Sequence, residues 1–354
     1  MPFVRLVTKS SYLLGMNSTR FYRTSVSLIA MLCLPMLLSG QKLKIQEVEV
    51  QNSTATGVLS GTLTTVKNAR KWGAEGMLAI LLPGSGPTDR HGNSGPYAMR
   101  SLDLVASQCH AEGISTLQFD KRGIGASTYE GTEAEMTYSD LVQDILQWSP
   151  WTQGFSRVVL IGHSEGGQMA LTLAAKHPEF PVHGLILLAA PAEPAADILW
   201  RQLQRQMDPS SEYGRRAKSA LDSLQNGLLL EGAVPMALQS LFRPSVQPYL
   251  VDWFKDDPIH HLKLCEVRLP VYFFYGGKDI QVELTEDVRQ ELASRDAHPS
   301  VQLELIPSMT HPLKADVLGQ RMATYTNGDL PLDPAFAQKL SAALQALKDL
   351  AHGA

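Results

Sequence analysis

A short stretch in the middle of the chain constrains its fold more than any other. Residues 158–161 form an apolar, largely β-branched run, and the sequence Gly162-His163-Ser164-Glu165-Gly166-Gly167 follows it directly. An alanine- and leucine-rich segment then extends from Gln168 to His177, where Pro178 ends it. This pattern predicts a buried strand, a very tight turn and a helix, with a serine at the apex of the turn. Strand and helix backbones approach each other in such a turn, so Gly162 and Gly166 occupy the positions with least room for a side chain.

The rest of the chain alternates between strand-like and helix-like segments with short links. Predicted strands cover residues 77–82, 114–119, 157–161, 182–190, 271–275 and 301–306, and predicted helices cover residues 101–112, 139–148, 168–177, 284–293 and 334–350. Such alternation favours an α/β fold with a mostly parallel, doubly wound sheet. Upstream, residues 43–66 alternate loosely in polarity and indicate two or three antiparallel strands.

One region breaks this alternation. Residues 193–264 contain no strand pattern but several amphipathic helical stretches, with Trp200, Tyr213, Phe242, Tyr249 and Trp253 among them. We interpret this region as a helical cap inserted into an α/β core. The core is then formed by residues 41–192 and 265–354.

The first forty residues differ from the rest. They contain Arg5, Lys9, Arg20 and Arg23 but no acidic residue, and an apolar run from Val26 to Leu38 ends at Ser39-Gly40. A basic segment, a short apolar core and small residues at its end are typical of a secretory signal, which predicts a secreted or periplasmic protein. Met16 is a second possible start, and an uncleaved N-terminal anchor is the alternative that would bring membrane contact.

Composition excludes some classes of protein. Apolar residues make up 44% of the chain and charged residues 19%, which is ordinary for a globular domain. The net charge of −4 and the lack of Lys/Arg runs give no reason to expect a nucleic acid partner. Besides Cys33 in the N-terminal segment, only Cys109 and Cys265 are present, too few for a disulfide scaffold, and whether these two pair is left open.

Two polar residues follow predicted strands downstream of Ser164. Asp279 comes just after the strand at 271–275, and His311 comes just after the strand at 301–306. A serine hydroxyl needs an adjacent base that a third group orients, and working loops of open α/β sheets lie beyond the carboxyl ends of the strands. The order Ser164, Asp279, His311 therefore predicts a catalytic nucleophile, orienting acid and base. Taken singly, Asp279 could be a turn former and His311 a surface residue.

A glycine-rich loop follows the strand at 77–82. It reads Pro83-Gly84-Ser85-Gly86-Pro87-Thr88-Asp89-Arg90, and no Gly-Lys-Ser/Thr follows, so a phosphate-binding loop is not expected. We predict that the backbone N–H groups of Ser85 and Glu165 form an oxyanion hole. His163 is expected to pack inside the turn. No histidine shows metal-ligand spacing, and neither a metal nor another cofactor is expected.

These motifs resemble the α/β-hydrolase superfamily, specifically its serine hydrolases with a helical cap. The similarity rests on the loop 83–90, on Asp120-Lys121-Arg122-Gly123-Ile124-Gly125-Ala126-Ser127, on the turn at Ser164, on Gly276-Gly277-Lys278-Asp279 and on His311. The loop 83–90 is similar to bacterial esterase/thioesterase-like and serine aminopeptidase-like members. Pro83 stands where relatives often have a histidine, and His91 where they often have an acid.

The resemblance implies hydrolysis of a carboxylic ester or thioester of a small-molecule acyl substrate, through an acyl-enzyme on Ser164. A peptidase or amidase with the same residues is the first alternative. It would need an acid near the cap to hold a substrate amine, for which Glu193, Glu212 and Glu231 are candidates. A non-catalytic binding protein that keeps the fold is the second alternative.

Overall fold

One sheet of eight strands forms the centre of the protein. The computed structural model describes residues 42–67, 76–266, 268–294, 298–316 and 318–350. The strands are β1 (Lys42–Gln51), β2 (Val58–Lys67), β3 (Met77–Leu82), β4 (Ser115–Phe119), β5 (Arg157–His163), β6 (Gly184–Leu188), β7 (Val271–Gly276) and β8 (Val301–Ile306). Their order across the sheet is β1-β2-β4-β3-β5-β6-β7-β8. β1 and β2 are antiparallel to each other, β2 is antiparallel to β4, and all other neighbours are parallel. The predicted fold class is therefore confirmed, with two antiparallel N-terminal strands.

Helices cover both faces of this sheet. They are α1 (Ser101–Ala111), α2 (Tyr138–Leu146), α3 (Glu165–Lys176), α4 (Ala195–Gln204), α5 (Glu212–Gln225), α6 (Gln239–Phe242), α7 (Gln247–Trp253), α8 (Pro258–Leu264), α9 (Glu286–Ala293), α10 (Arg321–Thr326) and α11 (Pro334–Asp349). Side chains of α1 and α11 pack on one face, and those of α2, α3 and α9 pack on the other.

The central strands are apolar without interruption because both of their faces are buried. In β3, Leu78, Ile80 and Leu82 join the core under α2 and α3, whereas Ala79 and Leu81 join the core under α1 and α11. Successive side chains of a strand point to opposite faces, so a strand with helices on both sides reads as a continuous apolar run.

The helices α4 to α8 all lie between β6 and β7, in the stretch 193–264 that the sequence interprets as a cap. The described residues of that stretch contain no strand, as expected. The domain boundaries themselves stay a prediction.

Two local differences from the predicted elements have physical causes. Helix α3 begins at Glu165, three residues before the predicted start, because packing holds Gly166 and Gly167 helical despite their poor intrinsic propensity. Helix α10 is not predicted, since six residues are too few for helical periodicity to show.

The predicted signal segment, residues 1–40, lies outside the described residues. Among the described helices, none has the length and apolar character needed to cross a bilayer. Cys109 and Cys265 are both buried free thiols, which answers the open question of their pairing.

Candidate active site

Ser164 lies at the turn between β5 and α3 in a strained backbone conformation. Its φ and ψ are 55° and −126°, a region that residues with a Cβ rarely adopt. The Ser164 N–H donates to the carbonyl of Leu188 on β6 at 2.8 Å, which anchors the turn to the sheet. A Cβ on Gly162 would lie 2.3 Å from the Gly166 oxygen, and a Cβ on Gly166 would lie 2.3 Å from the Leu82 oxygen. Both glycines are thus required by close backbone approach, as the sequence predicts.

His311 and Asp279 form a buried hydrogen-bonded pair. His311 Nδ1 lies 2.8 Å from Asp279 Oδ2, in the loops that follow β8 and β7. The other carboxylate oxygen accepts the N–H groups of Gln281 at 2.7 Å and Val282 at 3.0 Å, which orients the acid. Because a carboxylate can only accept, Nδ1 carries the proton in the neutral ring, and Nε2 remains able to accept one.

Ser164 and His311 line the same cavity, which we call the His311 cavity. Its volume is about 360 Å³, and its wall includes Gly84 and Ser85. The remaining lining residues are Thr88, Ser94, Tyr97, Met99, His163, Ile280, Gln281, Met322 and Tyr325. A Cβ on Gly84 would lie 3.2 Å from the Ser164 Cβ, so the glycine lets the loop after β3 approach the serine closely. The fold thus brings Ser164, Ser85 and the His311–Asp279 pair together.

A second cavity of about 320 Å³ lies beneath the helices α4, α6 and α7, and we call it the cap cavity. Ser164, Ser85 and Glu165 form its floor. Its apolar wall consists of Pro87, Pro191, Ala195, Ile198, Leu199, Leu241, Val246, Tyr249, Leu250, Trp253 and Val282. His311 lines the first cavity and is absent from the described wall of the second. Ser164, Ser85 and Gln281 therefore border both cavities.

The predicted oxyanion donors lie at this junction. Glu165 is the first residue of α3, and the first N–H groups of a helix have no acceptor within it. The positive end of the α3 dipole also favours negative charge there. Ser85 lies in the loop after β3 and borders both cavities.

His163 does more than the packing role expected from the sequence. Its Nε2 lies 2.8 Å from the His311 main-chain carbonyl, and the two rings are 4.8 Å apart. Burial and the neighbouring His311 lower the pKa of His163 to about 3, so the ring is neutral and donates through Nε2. His163 therefore holds the backbone of His311 in place. No sequence signal reveals this contact, because it joins residues 148 positions apart.

The loop motifs that carry the family resemblance are structural here. Arg90 donates to Asp120 through its main-chain N–H at 2.7 Å and through its guanidinium at 2.8 Å, and both side chains are buried. Asp120 also accepts the N–H of Ala126 at 3.0 Å. This pair ties the loop after β3 to the loop after β4 and so holds the Gly84-Ser85 segment beside Ser164.

The remaining candidate residues lie away from the cavities. His91 pairs with Asp103 at 2.8 Å on the half-exposed surface, and that hydrogen bond raises its pKa. Glu193 is paired with Arg201, and Glu212 with Arg216 on the exposed face of α5. Neither these acids nor the exposed Glu231 belong to the described lining of either cavity.

The sequence singles out Glu165 only for its backbone N–H, and the position of its side chain was not predicted. Its carboxylate is buried beneath the cap, where it accepts a hydrogen bond from Tyr249 and lies 3.9 Å from Lys121 Nζ. It is the acid nearest to Ser164 in the cap cavity lining. Because the Lys121 ammonium already faces this carboxylate, its negative charge is partly neutralised and attracts a substrate amine less strongly.

Comparisons with known proteins agree with this architecture. Residues 95–231 match the family model described as "Serine aminopeptidase, S33". Among curated proteins, the 1-acylglycerol-3-phosphate O-acyltransferase ABHD5 of Sus scrofa is 28% identical over 196 residues, or 54% of this chain and 51% of that protein. Epoxide hydrolase 3 of Xenopus tropicalis is 36% identical over 85 residues, which cover 23% of this chain and 22% of that protein. The chain spans about half the length of the ABHD5 relative and 22% of the length of epoxide hydrolase 3.

Solved structures share the fold at low sequence identity. An esterase of Pyrococcus furiosus has a TM-score of 0.54 at 16% identity, covering 88% of this chain and 92% of that one. The proline iminopeptidase of Mycobacterium smegmatis has a TM-score of 0.55 at 17% identity, covering 86% and 100%. The predicted resemblance to the α/β-hydrolase superfamily is confirmed, and its neighbours include both esterases and peptidases.

Proposed function

We propose that the chain is a serine hydrolase that cleaves carboxylic esters or thioesters through an acyl-enzyme on Ser164. The observation that carries the proposal is the buried 2.8 Å contact of His311 with Asp279 beside a cavity that Ser164 also lines. A nucleophile, a base and an orienting acid are the minimum set for this chemistry. Their order along the chain is the one usual for this fold.

The proposed reaction has two steps. Ser164 Oγ attacks the acyl carbonyl while His311 Nε2 takes its proton, and the carbonyl oxygen becomes an oxyanion facing the N–H groups of Ser85 and Glu165. His311 then gives the proton to the leaving oxygen or sulfur, and the acyl-enzyme forms. A water molecule then attacks the acyl-enzyme in the same way, with His311 as its base, and the carboxylic acid is released. Asp279 stabilises the imidazolium that forms twice in each cycle.

The position of His311 orients the substrate between the two cavities. The base must protonate the leaving group, so the leaving group belongs in the His311 cavity. The acyl chain then extends into the cap cavity, whose floor holds both proposed oxyanion donors. That wall is mostly apolar, which suits a hydrocarbon chain.

The volume of the cap cavity suggests a medium-length acyl group. A cavity of about 320 Å³ with a largely apolar wall has room for an acyl chain of several carbons. We expect hydrolysis of p-nitrophenyl esters to be faster with acyl chains of several carbons than with acetate. A monotonic fall in kcat/KM from acetate onward would contradict this placement of the acyl chain.

The test of the whole proposal is labelling of the purified protein by a fluorophosphonate probe. Wild type should be labelled and should hydrolyse p-nitrophenyl esters, and Ser164→Ala should do neither. His311→Ala should lose several orders of magnitude in kcat, because the residues act as a unit. His91→Ala is the matched control, since His91 also pairs with an aspartate but outside the cavities. An unlabelled wild type would overturn the enzymatic function and favour the non-catalytic alternative.

Peptide hydrolysis is the second candidate, favoured by the S33 aminopeptidase family match. It would use the same residues on an amide. The acids expected to hold a substrate amine are paired or exposed, and Glu165 already faces Lys121. We therefore expect aminoacyl-nitroanilides to react more slowly than p-nitrophenyl esters under the same conditions.

Export to the periplasm or the medium is also part of the proposal. Its basis is the residue pattern of positions 1–40 alone. N-terminal sequencing of the protein recovered from each cell fraction tests it. A start near residue 41 in the exported fraction is the expected result, and full-length chain confined to the cytoplasm would contradict it.

A further inference from the structure

A buried lysine outside the proposed reaction contacts the loop that faces Ser164. Lys121 follows β4 in the loop, and 7% of its surface is exposed. Its Nζ donates to the main-chain carbonyl of Gly84 at 2.6 Å. Burying an ammonium group is costly unless something compensates, and desolvation lowers the pKa of Lys121. A lysine kept at such a cost in contact with one particular carbonyl calls for a functional explanation.

The Gly84 carbonyl belongs to the same peptide unit as the Ser85 N–H. A trans peptide is planar, and its C=O and N–H point in opposite directions. A donor fixed on the carbonyl side therefore also fixes the direction of the N–H on the other side. A charged donor on the oxygen further polarises the amide, because hydrogen bonds in a chain strengthen one another.

We propose that Lys121 is a positioning residue of the oxyanion hole, which aims and polarises the Ser85 N–H toward the reacting carbonyl oxygen. The inference rests on the proposed function, since it assigns a role within the same site. Lys121 does not touch the substrate, and it acts through the Gly84–Ser85 peptide.

Glu165 and Tyr249 extend this arrangement to the cap. Glu165 Oε2 lies 3.9 Å from Lys121 Nζ and has no hydrogen-bond partner among the described residues. Its Oε1 accepts a hydrogen bond from the hydroxyl of Tyr249, which lies on α7 and lines the cap cavity. Burial raises the pKa of Glu165, and the lysine charge opposes that shift, so the pair stabilises the charge of Lys121. Both oxyanion donors are thus linked to Lys121: Ser85 through the Gly84 carbonyl, and Glu165 through its carboxylate.

Lys121→Met is the primary test, because methionine keeps the aliphatic stem and removes the donor. We expect kcat for p-nitrophenyl esters to fall about 10- to 100-fold with KM within about 3-fold, somewhat less than removal of a donor outright. Lys348→Met is the matched control. Lys348 is equally buried, at 7% exposed, and also donates to a main-chain carbonyl, that of Glu112, far along α11 from the site. The control should keep wild-type kcat.

A second readout separates positioning from general damage to the fold. A trifluoromethyl ketone adds to the serine and forms a hemiketal, whose oxygen occupies the oxyanion hole. The pKa of that hemiketal, followed by ¹⁹F NMR, measures how well the hole stabilises the anion. We expect it to rise by about 1 to 2 units in Lys121→Met, matching the loss in kcat, and to stay unchanged in Lys348→Met.

The outcomes are distinct. If Lys121→Met keeps the wild-type kcat and hemiketal pKa, the positioning role is wrong while the proposed function stands. If wild type forms no adduct and is not labelled at Ser164, the proposed function fails instead. If Lys121→Met does not fold, Tyr249→Phe replaces it as the test. This variant removes the hydroxyl that donates to Glu165, the acid that faces Lys121. A hemiketal pKa raised by several tenths of a unit then supports the inference, and an unchanged value overturns it.

Discussion

Asp256 connects the cap to the helix that begins at the proposed nucleophile, and its removal should cost more stability than that of any acid around it. The carboxylate is 4% exposed and lies just before α8. It accepts hydrogen bonds from His261 Nε2 at 2.7 Å and from Gln168 Nε2 at 2.9 Å. The hydroxyls of Thr172 at 3.0 Å and Tyr138 at 3.3 Å also donate to it, and the exposed Lys176 Nζ lies 3.8 Å from Oδ1. Four hydrogen-bond donors from α2, α3 and α8 thus converge on one buried carboxylate.

The expected cost of Asp256→Ala follows from these contacts. Leaving a buried donor without an acceptor costs about 1–3 kcal/mol, and breaking a buried charged network by removing one partner costs about 3–5 kcal/mol. The four donors share one cavity after truncation, so their costs do not add fully. We therefore expect a loss of about 3–5 kcal/mol in the free energy of unfolding. Asp256→Asn keeps the shape and one acceptor, and about half that loss is expected.

Urea unfolding followed by circular dichroism at pH 7 measures these losses. Asp257→Ala is the control: the neighbouring acid is exposed and caps α8 through one contact, with His260 N–H at 3.0 Å. Loss of such a cap costs about 1 kcal/mol. If Asp256→Ala costs no more than Asp257→Ala, the carboxylate does not organise the cap–core junction and the reasoning is refuted.

Two further predictions concern the turn at Ser164. Gly166→Ala should lower the free energy of unfolding by at least about 3 kcal/mol, because its Cβ would lie 2.3 Å from the Leu82 carbonyl oxygen. Gly86→Ala, at φ +66° with open space around it, should cost only about 1–2 kcal/mol, and equal urea midpoints for the two variants would contradict the steric argument. His163 has a pKa of about 3 in the folded protein against 6.5 when unfolded, so the unfolded chain binds the extra proton and stability falls as the pH drops below 6.5. His163→Gln removes this term, so the stability difference between wild type and variant should shrink by up to about 1.4 kcal/mol per pH unit between pH 6 and pH 4 in urea unfolding, and a constant difference would disprove it.

Most of the fold was predictable because local patterns and the final packing agree. The buried strands β3, β5 and β7 read as continuous apolar runs, and the structure has them at the predicted positions. Where packing overrides propensity, prediction failed: α3 begins among glycines that only the surrounding core holds helical. The short α10 carries too little periodicity to be seen.

The candidate residues Ser164, Asp279 and His311 could be found from the sequence because each follows a strand of a parallel sheet, whose carboxyl ends converge on one edge. Chain order and strand order were therefore enough to group them. The residues that hold the neighbouring backbone in place could not be identified from the sequence. Lys121 and His163 act through main-chain carbonyls, of Gly84 and His311, that are far away along the chain.

The sequence by itself determined the class of fold, the strained turn at Ser164 and the set of polar groups at the edge of the sheet. These follow from periodicity, glycine placement and chain order, which are local properties. Only the tertiary structure decided that Ser164 borders both a cavity under the cap and the cavity of His311, and that the motif residues Arg90 and Asp120 bind each other. The reason is physical: cavities and buried ion pairs arise between elements distant in sequence, where no local pattern records which side chains will meet.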